Sequence, residues 1–218
     1  LIITPAIDFQ MDKVLNDLKR EFSDNYRLAV IGLPYKAMLN NICGLFTNNK
    51  HDYDYLPCNK NRNVNGDSSF IEQKNIFREK LFKIINAWNY RGVSVGSWLK
   101  QRYKDCLEPE VIDKTYGHSY HLNKYLDKWK PVFVLSPFSR MFSAVLGELS
   151  VLKNIPSMVI PHGSFTPVYD ESSKMEWMEN ALGMINTKYK YVAVQTPLAE
   201  RFLSDINCKS KAVVTGPL

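Results

Sequence analysis

Short runs of apolar residues recur along the chain, and each of them meets a proline within a few residues of its end. Half-exposed antiparallel strands alternate apolar with polar residues, whereas strands buried on both faces of a parallel sheet carry uninterrupted Val, Ile and Leu. Proline has no backbone N–H to donate to a ladder, so it marks the point where each strand ends. The pattern therefore predicts six strands of a mainly parallel sheet, formed by LIITP, RLAVIGLP, PVFVLSP, PSMVIP, YVAVQTP and AVVTGP.

The segments between these runs carry apolar residues at helical spacing. The stretch MDKVLNDLKRE, residues 11–21, places its valine and two leucines on one stripe. The predicted helix N-termini are Ser139 as an N-cap, Ser173 and Glu176 as a capping box, and Thr196 as an N-cap followed by Pro197 at the first helical position. Strand and helix alternate over residues 131–218, which predicts an α/β fold with a doubly wound, mainly parallel Rossmann-like sheet and helices on both faces.

The middle of the chain has a different composition. Residues 40–69 are rich in asparagine and contain few aliphatic side chains, so they predict a long polar excursion from the sheet. Residues 70–129 predict a helical insertion, whose helices are interrupted at Arg91 and Gly92. We therefore predict a single Rossmann-like domain over residues 1–218 that carries this excursion and this insertion.

Composition and charge limit the class of partner. The chain has 218 residues, of which 45% are apolar, so it is long enough to bury one large core or two small ones. Its 28 lysines and arginines exceed its 22 acidic residues, which gives a net charge of +6 and a pI of about 9.0. This balance favours an anionic partner, such as phosphate groups or an acidic membrane surface. The basic residues are scattered and no nucleic-acid-binding signature accompanies them, so we expect no nucleic-acid partner.

Cysteine usage and hydropathy bear on the compartment. The four cysteines are far apart and form no C-x-x-C pair, which argues against a zinc site or a disulfide framework and favours a reducing environment. No apolar run reaches the roughly twenty residues that a membrane-spanning helix needs. We therefore expect a cytoplasmic protein, either soluble or peripheral at the inner face of the cell membrane.

In an open parallel sheet the ligand crevice lies beyond the carboxyl ends of the strands, because loops and helix N-termini converge there. The candidate site residues are therefore those that follow each predicted strand. They are Thr4 and Asp8; Pro34 and Tyr35; Ser136, Ser139 and Arg140; His162, Gly163 and Ser164; and Gln195 and Thr196.

His162 offers the most chemistry among these candidates. It follows the PSMVIP run, and Gly163 after it lets the backbone turn sharply or lets a ligand approach. Its imidazole titrates near neutrality, so it could act as a general base towards a sugar hydroxyl or donate a hydrogen bond to a phosphate or a developing oxyanion. The alternative is a histidine that only ties down the next loop. Arg140 is similarly open: it could clamp a phosphate bidentately or cover the sheet edge as a surface side chain.

Two clusters of potential metal ligands occur in the sequence, and neither is a convincing metal site. Asp52 and Asp54 form a D-x-D pair, but they lie in the polar excursion without a preceding buried strand, which favours a solvated loop. His118 and His121 are three residues apart on a predicted helix, yet no acidic or cysteine partner is evident nearby. No Gly-rich phosphate loop of either common pattern is present, which argues against a dinucleotide oxidoreductase or a P-loop NTPase. We expect neither a metal nor a cofactor.

The order of motifs over residues 131–218 resembles the N-terminal half of GT-B glycosyltransferases. The shared features are an apolar strand, a helix ending in KNIP, a strand running into PHG, and then YVAVQTPLAERFL and AVVTGP. The pattern is similar to that of bacterial surface-polysaccharide transferases and polyol-phosphate transferases, and nucleotide-sugar 2-epimerases share the architecture. Residues 1–39 fit the first strand, helix and strand of such a domain, whereas residues 40–129 have only a loose counterpart.

The resemblance implies metal-independent transfer of a sugar from a nucleotide-sugar donor to a glycan or lipid-linked glycan acceptor. It makes His162 the base or the phosphate-facing donor, with Asp8 as a second base. The substrate-binding residues would be Gly163, Ser164, Ser136, Arg140 and Thr196. It also implies a second, nucleotide-binding domain that would begin near Gly216 and is absent from this chain, so that the chain alone would be inactive.

Two other interpretations are open at this point. A nucleotide-sugar 2-epimerase or a polyol-phosphate transferase has the same fold, and fold alone does not determine the reaction. An epimerase would require further strand-end carboxylates, for which Asp170 and Glu171 are the candidates. A non-catalytic sugar-binding or regulatory module could use the same sheet.

Overall fold

The computed structural model describes residues 1–5, 9–22, 26–32, 54–57, 68–102, 109–161 and 170–216. The chain divides into two compact units: unit 1 comprises residues 1–58 and 122–218, and unit 2 comprises residues 59–121. Along the chain the elements are β1 (Ile2–Thr4), α1 (Phe9–Phe22), β2 (Leu28–Gly32), β3 (Asp54–Pro57), α2 (Ser68–Asn86), β4 (Asn89–Tyr90), β5 (Val93–Ser94), α3 (Gly96–Arg102), α4 (Pro109–Trp129), β6 (Phe133–Ser136), α5 (Met141–Leu152), β7 (Ser157–Val159), α6 (Glu171–Ala181), β8 (Tyr191–Val194), α7 (Pro197–Asp205) and β9 (Lys211–Val214).

Unit 1 is built on a seven-stranded sheet with the order β3-β2-β1-β6-β7-β8-β9. Every neighbouring pair of strands in it is parallel. All six apolar runs form strands of this sheet. The predicted fold class, an α/β fold with a doubly wound, mainly parallel Rossmann-like sheet, is therefore confirmed.

Alternate residues of the strands bury opposite faces of the sheet, because successive side chains of a strand point to opposite sides. Ile3 and Val134 pack in one cluster with residues of α4, α5 and α7. Ile2 and Leu135, one position away on the same strands, pack in a second cluster with Leu15 of α1. Helices therefore cover both faces, as right-handed connections require when the strand order runs outward in two directions.

The sequence pattern does not predict one strand of the sheet. β3 lies inside residues 40–69, where we expected only a polar excursion, and Asp54, expected in a solvated loop, begins it. Its residues pair with β2 from Ala29 opposite Asp54 to Gly32 opposite Pro57. A strand ending on proline is tolerated at a sheet edge, because the missing N–H need not bond to a further strand. Four residues with a single leucine give no apolar run, and this explains the error.

α5 begins one residue later than predicted. Its N-cap is Arg140, whose side chain makes no capping hydrogen bond. The hydroxyl of Ser139, the predicted N-cap, instead accepts a hydrogen bond from the backbone N–H of Lys188 at 3.2 Å. The backbone N–H of Ser139 donates to the carbonyl of Gly183. Bonds to a distant segment thus replace the local cap that the sequence suggested.

The other two predicted N-termini have different outcomes. α6 begins at Glu171, before the predicted capping box of Ser173 and Glu176, so that prediction is wrong. The carboxylate of Asp170 accepts a hydrogen bond from the backbone N–H of Ser173 at 2.8 Å and caps the first turn instead. For α7 the prediction is confirmed, since proline is its first residue and the hydroxyl of Thr196 accepts a hydrogen bond from a first-turn N–H at 3.2 Å.

In unit 2, aromatic side chains of α2 pack against aromatic side chains of α4. The ring of Phe70 lies 5.3 Å from that of Tyr116 and 5.0 Å from that of Tyr120, centroid to centroid. The hydroxyl of Tyr116 donates to the side-chain oxygen of Gln73 at 3.1 Å. Burial, and then the neighbouring Tyr120, raise the pKa of Tyr116. These contacts form an aromatic seam along the two helices.

The predicted interruption at Arg91 and Gly92 is the turn of a β-hairpin formed by β4 and β5. Tyr90 pairs with Val93 across the hairpin. The two turn residues have φ angles of 49° and 83°. Two-residue turns of this kind require positive φ at both central positions, which glycine adopts without steric cost.

Candidate functional site

The strand order of unit 1 reverses between β1 and β6, which are neighbours in the sheet. From β1 the chain proceeds through β2 to β3, and from β6 it proceeds in the other direction to β9. In doubly wound sheets such a reversal opens a crevice at the carboxyl ends of the two strands, where ligands bind. The candidate site is therefore the edge at which Thr4 and Ser136 end their strands.

Ser136 is fully buried, and its hydroxyl belongs to an internal hydrogen-bond network. Its Oγ lies 2.6 Å from the Oγ of Ser143 and 2.6 Å from the carbonyl oxygen of Phe138. The Oγ of Ser143 lies 2.8 Å from the hydroxyl of Tyr189. The network therefore joins the end of β6 to the first turn of α5 and to the approach to β8. A substrate-binding role of Ser136 stays a prediction.

Tyr189 is the third side chain of this hydrogen-bond network. It is 2% exposed, and its hydroxyl donates to the carbonyl of Ser143 at 2.8 Å. Burial raises the pKa of Tyr189 to about 12, although hydrogen bonds with Ser143 and Ser136 act in the opposite direction. A Cβ atom at Gly147 would lie 2.6 Å from the ring, so the glycine makes room for it. The phenol is thus a neutral buried support at neutral pH.

Arg140 lies at the carboxyl edge with an exposed side chain. Its Nε donates to the carbonyl of Leu182 at 3.1 Å. Gly183 has a φ of 76°, and a Cβ there would lie 2.8 Å from the carbonyl oxygen of Ser139 and would collide with Cγ of Arg140. Among the residues that the structure describes, no carboxylate forms an ion pair with Arg140. The guanidinium is thus anchored through Nε while its two terminal nitrogens can bind an anion.

The other predicted ligands lie at different places on the same edge. Thr196 follows β8, and its hydroxyl is engaged in capping α7. β7 separates β8 from β6, and the N–H of Ile160 just after β7 donates to the carbonyl of Ser136 at 2.8 Å. The chain therefore leaves β7 between the loop that carries Arg140 and the residue Thr196. His162, Gly163 and Ser164, which come next, lie outside the described residues, as do Asp8, Pro34 and Tyr35.

Asp170 and Glu171, the candidate carboxylates of an epimerase, make local contacts at the start of α6. Asp170 accepts hydrogen bonds from the hydroxyl of Ser172 at 2.7 Å and from the N–H of Ser173 at 2.8 Å. These bonds, the hydroxyl first, lower the pKa of Asp170 to about 2. Glu171 forms a 3.8 Å ion pair with Lys174 in the same helical turn. Both groups serve the first turn of α6.

The residues that we weighed as metal ligands fall on different elements. Asp54 begins β3, and Asp52 lies outside the described residues. His118 and His121 are both on α4; His118 is 6% exposed, and the ring of His121 is edge-on to that of Tyr120 at 5.7 Å. In the described part of the chain, no three His, Cys, Asp or Glu side chains cluster closely enough to hold a metal ion.

A groove of about 810 Å³ lies elsewhere, along one face of α2. Its lining residues recur at helical spacing and include Arg78, Glu79, Phe82, Lys83 and Asn86. The Nε of Arg78 is buried, and it has no hydrogen-bond partner among the described residues. None of the described residues that we predicted for the site lines this groove.

Three supporting residues of the edge escaped the sequence reasoning. Ser143 and Gly147 lie on the buried face of the helix MFSAVLGELSVL, and Gly183 lies two residues after the end of α6. A serine and a glycine on the buried face of a helix indicate close packing, and a glycine after a helix is the usual C-terminal signal. These signals predict local geometry, but they do not reveal that Tyr189 and Arg140 are the partners.

Comparison with known proteins gives a fold likeness only. No protein-family model matches the chain, and no curated protein matches it either. Among solved structures, it is similar to the crystal structure of Arabidopsis thaliana UGT89C1 complexed with UDP-L-rhamnose, with a TM-score of 0.45 and 10% sequence identity. The likeness covers 99% of this chain and 51% of that one, so the chain spans about half the length of that protein. No described helix has the length and apolar character needed to cross a membrane.

Proposed function

We propose that this chain is the N-terminal, acceptor-side domain of a metal-independent GT-B glycosyltransferase. It would help to transfer a sugar from a nucleotide-sugar donor to a surface-glycan acceptor, free or lipid-linked, without a cofactor. The observation that carries the proposal is the reversal of strand order between β1 and β6, with the anchored Arg140 at the carboxyl edge beside it. The enzyme would work in the cytoplasm, at an acidic membrane surface.

Arg140 would bind the diphosphate of the donor. Its Nε is held by Leu182, so the two terminal nitrogens can meet two phosphate oxygens in the bidentate geometry that a guanidinium favours. Charge develops on the leaving diphosphate during transfer. A fixed cation there stabilises the transition state more than the ground state.

His162 would be the general base, with Asp8 as the second candidate. It is two residues beyond Ile160, whose N–H bonds to Ser136. The base takes the proton of the acceptor hydroxyl while that oxygen forms a bond to the anomeric carbon. The bond from this carbon to the phosphate oxygen breaks, and the nucleoside diphosphate leaves. Gly163, Ser164, Ser136 and Thr196 would line the path of the acceptor.

A second, nucleotide-binding domain outside this chain would complete the cleft. We therefore expect the 218-residue chain to fold but to show no transferase turnover and only weak nucleotide binding. Calorimetry with a panel of nucleotide-sugars checks this. Tight binding of one nucleotide-sugar by the chain alone would contradict the proposal that a second domain supplies most of the nucleotide binding.

The test of the function uses the full natural gene product and a panel of nucleotide-sugars, with release of nucleoside diphosphate as the signal. Arg140→Ala should lower kcat/KM by about tenfold to a hundredfold, the scale of a lost charge-assisted hydrogen-bond pair. The matched control is Arg201→Ala, which removes an exposed arginine of α7. Absence of turnover with every donor, or equal kcat/KM for the two variants, would contradict the proposal.

A further inference from the structure

Unit 2 exposes a concentrated set of large apolar side chains around its hairpin. Ile84 is 66% exposed, Trp88 58%, Tyr90 64%, Val93 64% and Trp98 60%. We call these five residues the hairpin surface. Single exposed apolar residues are ordinary on any protein, but five within one short stretch of chain indicate a surface that meets a partner.

Local geometry places Trp88, Tyr90 and Val93 of the hairpin surface on one face. Tyr90 and Val93 are cross-strand partners, so their side chains lie on the same face of the hairpin. Trp88 precedes Tyr90 by two residues, and the N–H of Val95 donates to its carbonyl at 3.1 Å, so it continues the same face. A Cβ at Gly96 would collide with the carbonyl of Ile85, which shows how tightly the chain leaving the hairpin packs on the end of α2.

Positive charge predominates in the stretch of sequence that carries the hairpin surface. Between residues 80 and 102 the sequence has five basic residues and no acidic one. They are Lys80, Lys83, Arg91, Lys100 and Arg102. The guanidinium of Arg91 lies 5.5 Å from the ring centroid of Tyr90, and the ammonium of Lys100 lies 5.4 Å from that of Phe82. Cations therefore lie directly beside the aromatic side chains.

The groove along α2 is lined by two cationic side chains and by one carboxylate, that of Glu79. Lys83 belongs to the basic segment and also lines the groove, together with Arg78. The buried Nε of Arg78 has no hydrogen-bond partner in the described part of the chain, which a phosphate oxygen would supply. Asn75 and Asn86 offer amide donors along the same face.

We propose that the hairpin surface docks this protein onto an anionic lipid bilayer. Tryptophan and tyrosine favour the headgroup level of a membrane, because their rings are apolar and carry one polar group. Basic residues beside them attract anionic lipids, and a segment without acidic residues has no opposing repulsion. A protein partner fits less well, since protein interfaces are depleted in lysine and this segment contains three.

The proposal deepens the proposed function, on which its biological meaning rests, by assigning the membrane contact to unit 2. Its test is separate, because vesicle binding is measured without donor or acceptor. Failure of transfer with intact vesicle binding would therefore count against the glycosyltransferase proposal alone. Failure of vesicle binding in an active enzyme would count against the docking surface alone.

The experiment is flotation of the full chain with phosphatidylcholine vesicles that contain either no anionic lipid or about 30% phosphatidylglycerol. We expect binding to the anionic vesicles only. Trp88→Ser with Trp98→Ser should weaken it about tenfold or more, because the rings supply the apolar burial. Lys83→Glu with Arg91→Glu should weaken it about fivefold for each cation lost, and added salt should weaken it further.

Matched controls in unit 1 test whether the loss of any two exposed apolar or basic side chains would weaken vesicle binding equally. Val151→Ser with Leu152→Ser removes two side chains that are 46% and 75% exposed, and Lys209→Glu with Lys211→Glu reverses two exposed cations. Both controls should bind vesicles like the wild type. Quenching of tryptophan fluorescence by brominated lipid, present in the wild type and lost in the tryptophan variant, supports the same contact without relying on affinity.

Several results would overturn the docking proposal. One is a wild type that ignores anionic vesicles; another is binding that the unit 1 controls weaken as much as the hairpin variants do. Self-association of the chain that the tryptophan variant abolishes, in the absence of vesicle binding, would assign the hairpin surface to a protein contact instead.

Discussion

Unit 1 encloses nearly all of the buried apolar side chains, although it also exposes some, such as Leu152, whereas the described residues of unit 2 expose more large apolar side chains than they bury. In unit 1, Ile3, Leu146 and Tyr189 are at most 2% exposed. In unit 2, Ile84 and Trp88 each keep more than half of their surface in solvent. A sheet covered on both faces encloses the side chains of its central strands, whereas a two-residue hairpin beside a few helices has no opposite layer. The closed core therefore belongs to unit 1, and the exposed apolar side chains of unit 2 support the contact surface proposed for it.

Truncation of matched aliphatic side chains should give the largest difference between the two units. Leu146→Ala should lower the free energy of unfolding by about 2–5 kcal/mol, because it leaves a cavity in a closed core. Ile84→Ala should change it by less than about 0.5 kcal/mol, because the side chain is exposed. Urea denaturation followed by circular dichroism measures both. Equal losses would show that Ile84 is buried in solution and would remove it from the hairpin surface.

Added methyl groups should act in opposite directions. Gly147→Ala should destabilise unit 1 by about 1–3 kcal/mol, because the new Cβ would press on the buried ring of Tyr189. Gly117→Ala in α4 should stabilise by about 0.5–1 kcal/mol, because nothing lies within 4 Å of its Cβ position and alanine favours the helix. Thermal unfolding of the two variants decides the point. Stabilisation by both substitutions would mean that Tyr189 does not fill the space beside Gly147.

Removal of one tyrosine hydroxyl in each unit should also lower stability more in unit 1 than in unit 2. Tyr189→Phe should cost about 1–2 kcal/mol, because it removes one hydrogen-bond partner of the buried groups of Ser143. Tyr116→Phe, which removes an exposed bond to Gln73, should cost less than about 0.5 kcal/mol. Since burial raises the pKa of Tyr189 to about 12 from 10.0, its contribution is complete below pH 10 and is lost as the pH rises towards 12. A wild type and a Tyr189→Phe variant with parallel stability profiles over that interval would contradict the assignment.

The smallest expected effect concerns the cap of α6. The pKa of Asp170 is lowered to about 2 from 3.8, so its capping contribution is present above pH 4 and is lost as the pH falls towards 2. Ser172→Ala removes the largest cause and should move the pKa of Asp170 back up, as measured by carbon-detected NMR titration. Lys174→Ala removes the ammonium that pairs with Glu171 and should leave the pKa of Asp170 unchanged. An unchanged pKa in Ser172→Ala would show that this hydroxyl bond does not form in solution.

The sequence was most informative where burial on two faces left continuous apolar runs. Runs such as PVFVLSP predict a strand and its carboxyl end, so the sheet and the edge with Arg140 follow from them. β3 gave no such signal, because an edge strand needs few apolar side chains. The bond from Arg140 to Leu182 and the space that Gly147 leaves for Tyr189 join residues some forty positions apart. Local patterns contain no information on such pairs.

The hairpin shows a second kind of limit. Arg91 and Gly92 predicted an interruption, but helical periodicity on either side obscured two strands of two residues each. Exposure of Trp88 and Trp98 was not predictable, since apolar residues at such spacing usually form a core. Only the three-dimensional arrangement distinguishes an apolar residue that packs inward from one that stays at the surface.

The proposed glycosyl transfer at the carboxyl edge of the unit 1 sheet needs a general base, and His162→Ala in the full natural gene product removes the candidate. The assay measures turnover with the true donor and acceptor, per folded molecule, and His121→Ala on α4 serves as the matched histidine control. We expect a loss of about a hundredfold or more for His162→Ala, the usual scale for a lost general base, with little change in melting temperature. Near-normal turnover in a correctly folded His162→Ala enzyme would contradict this expectation.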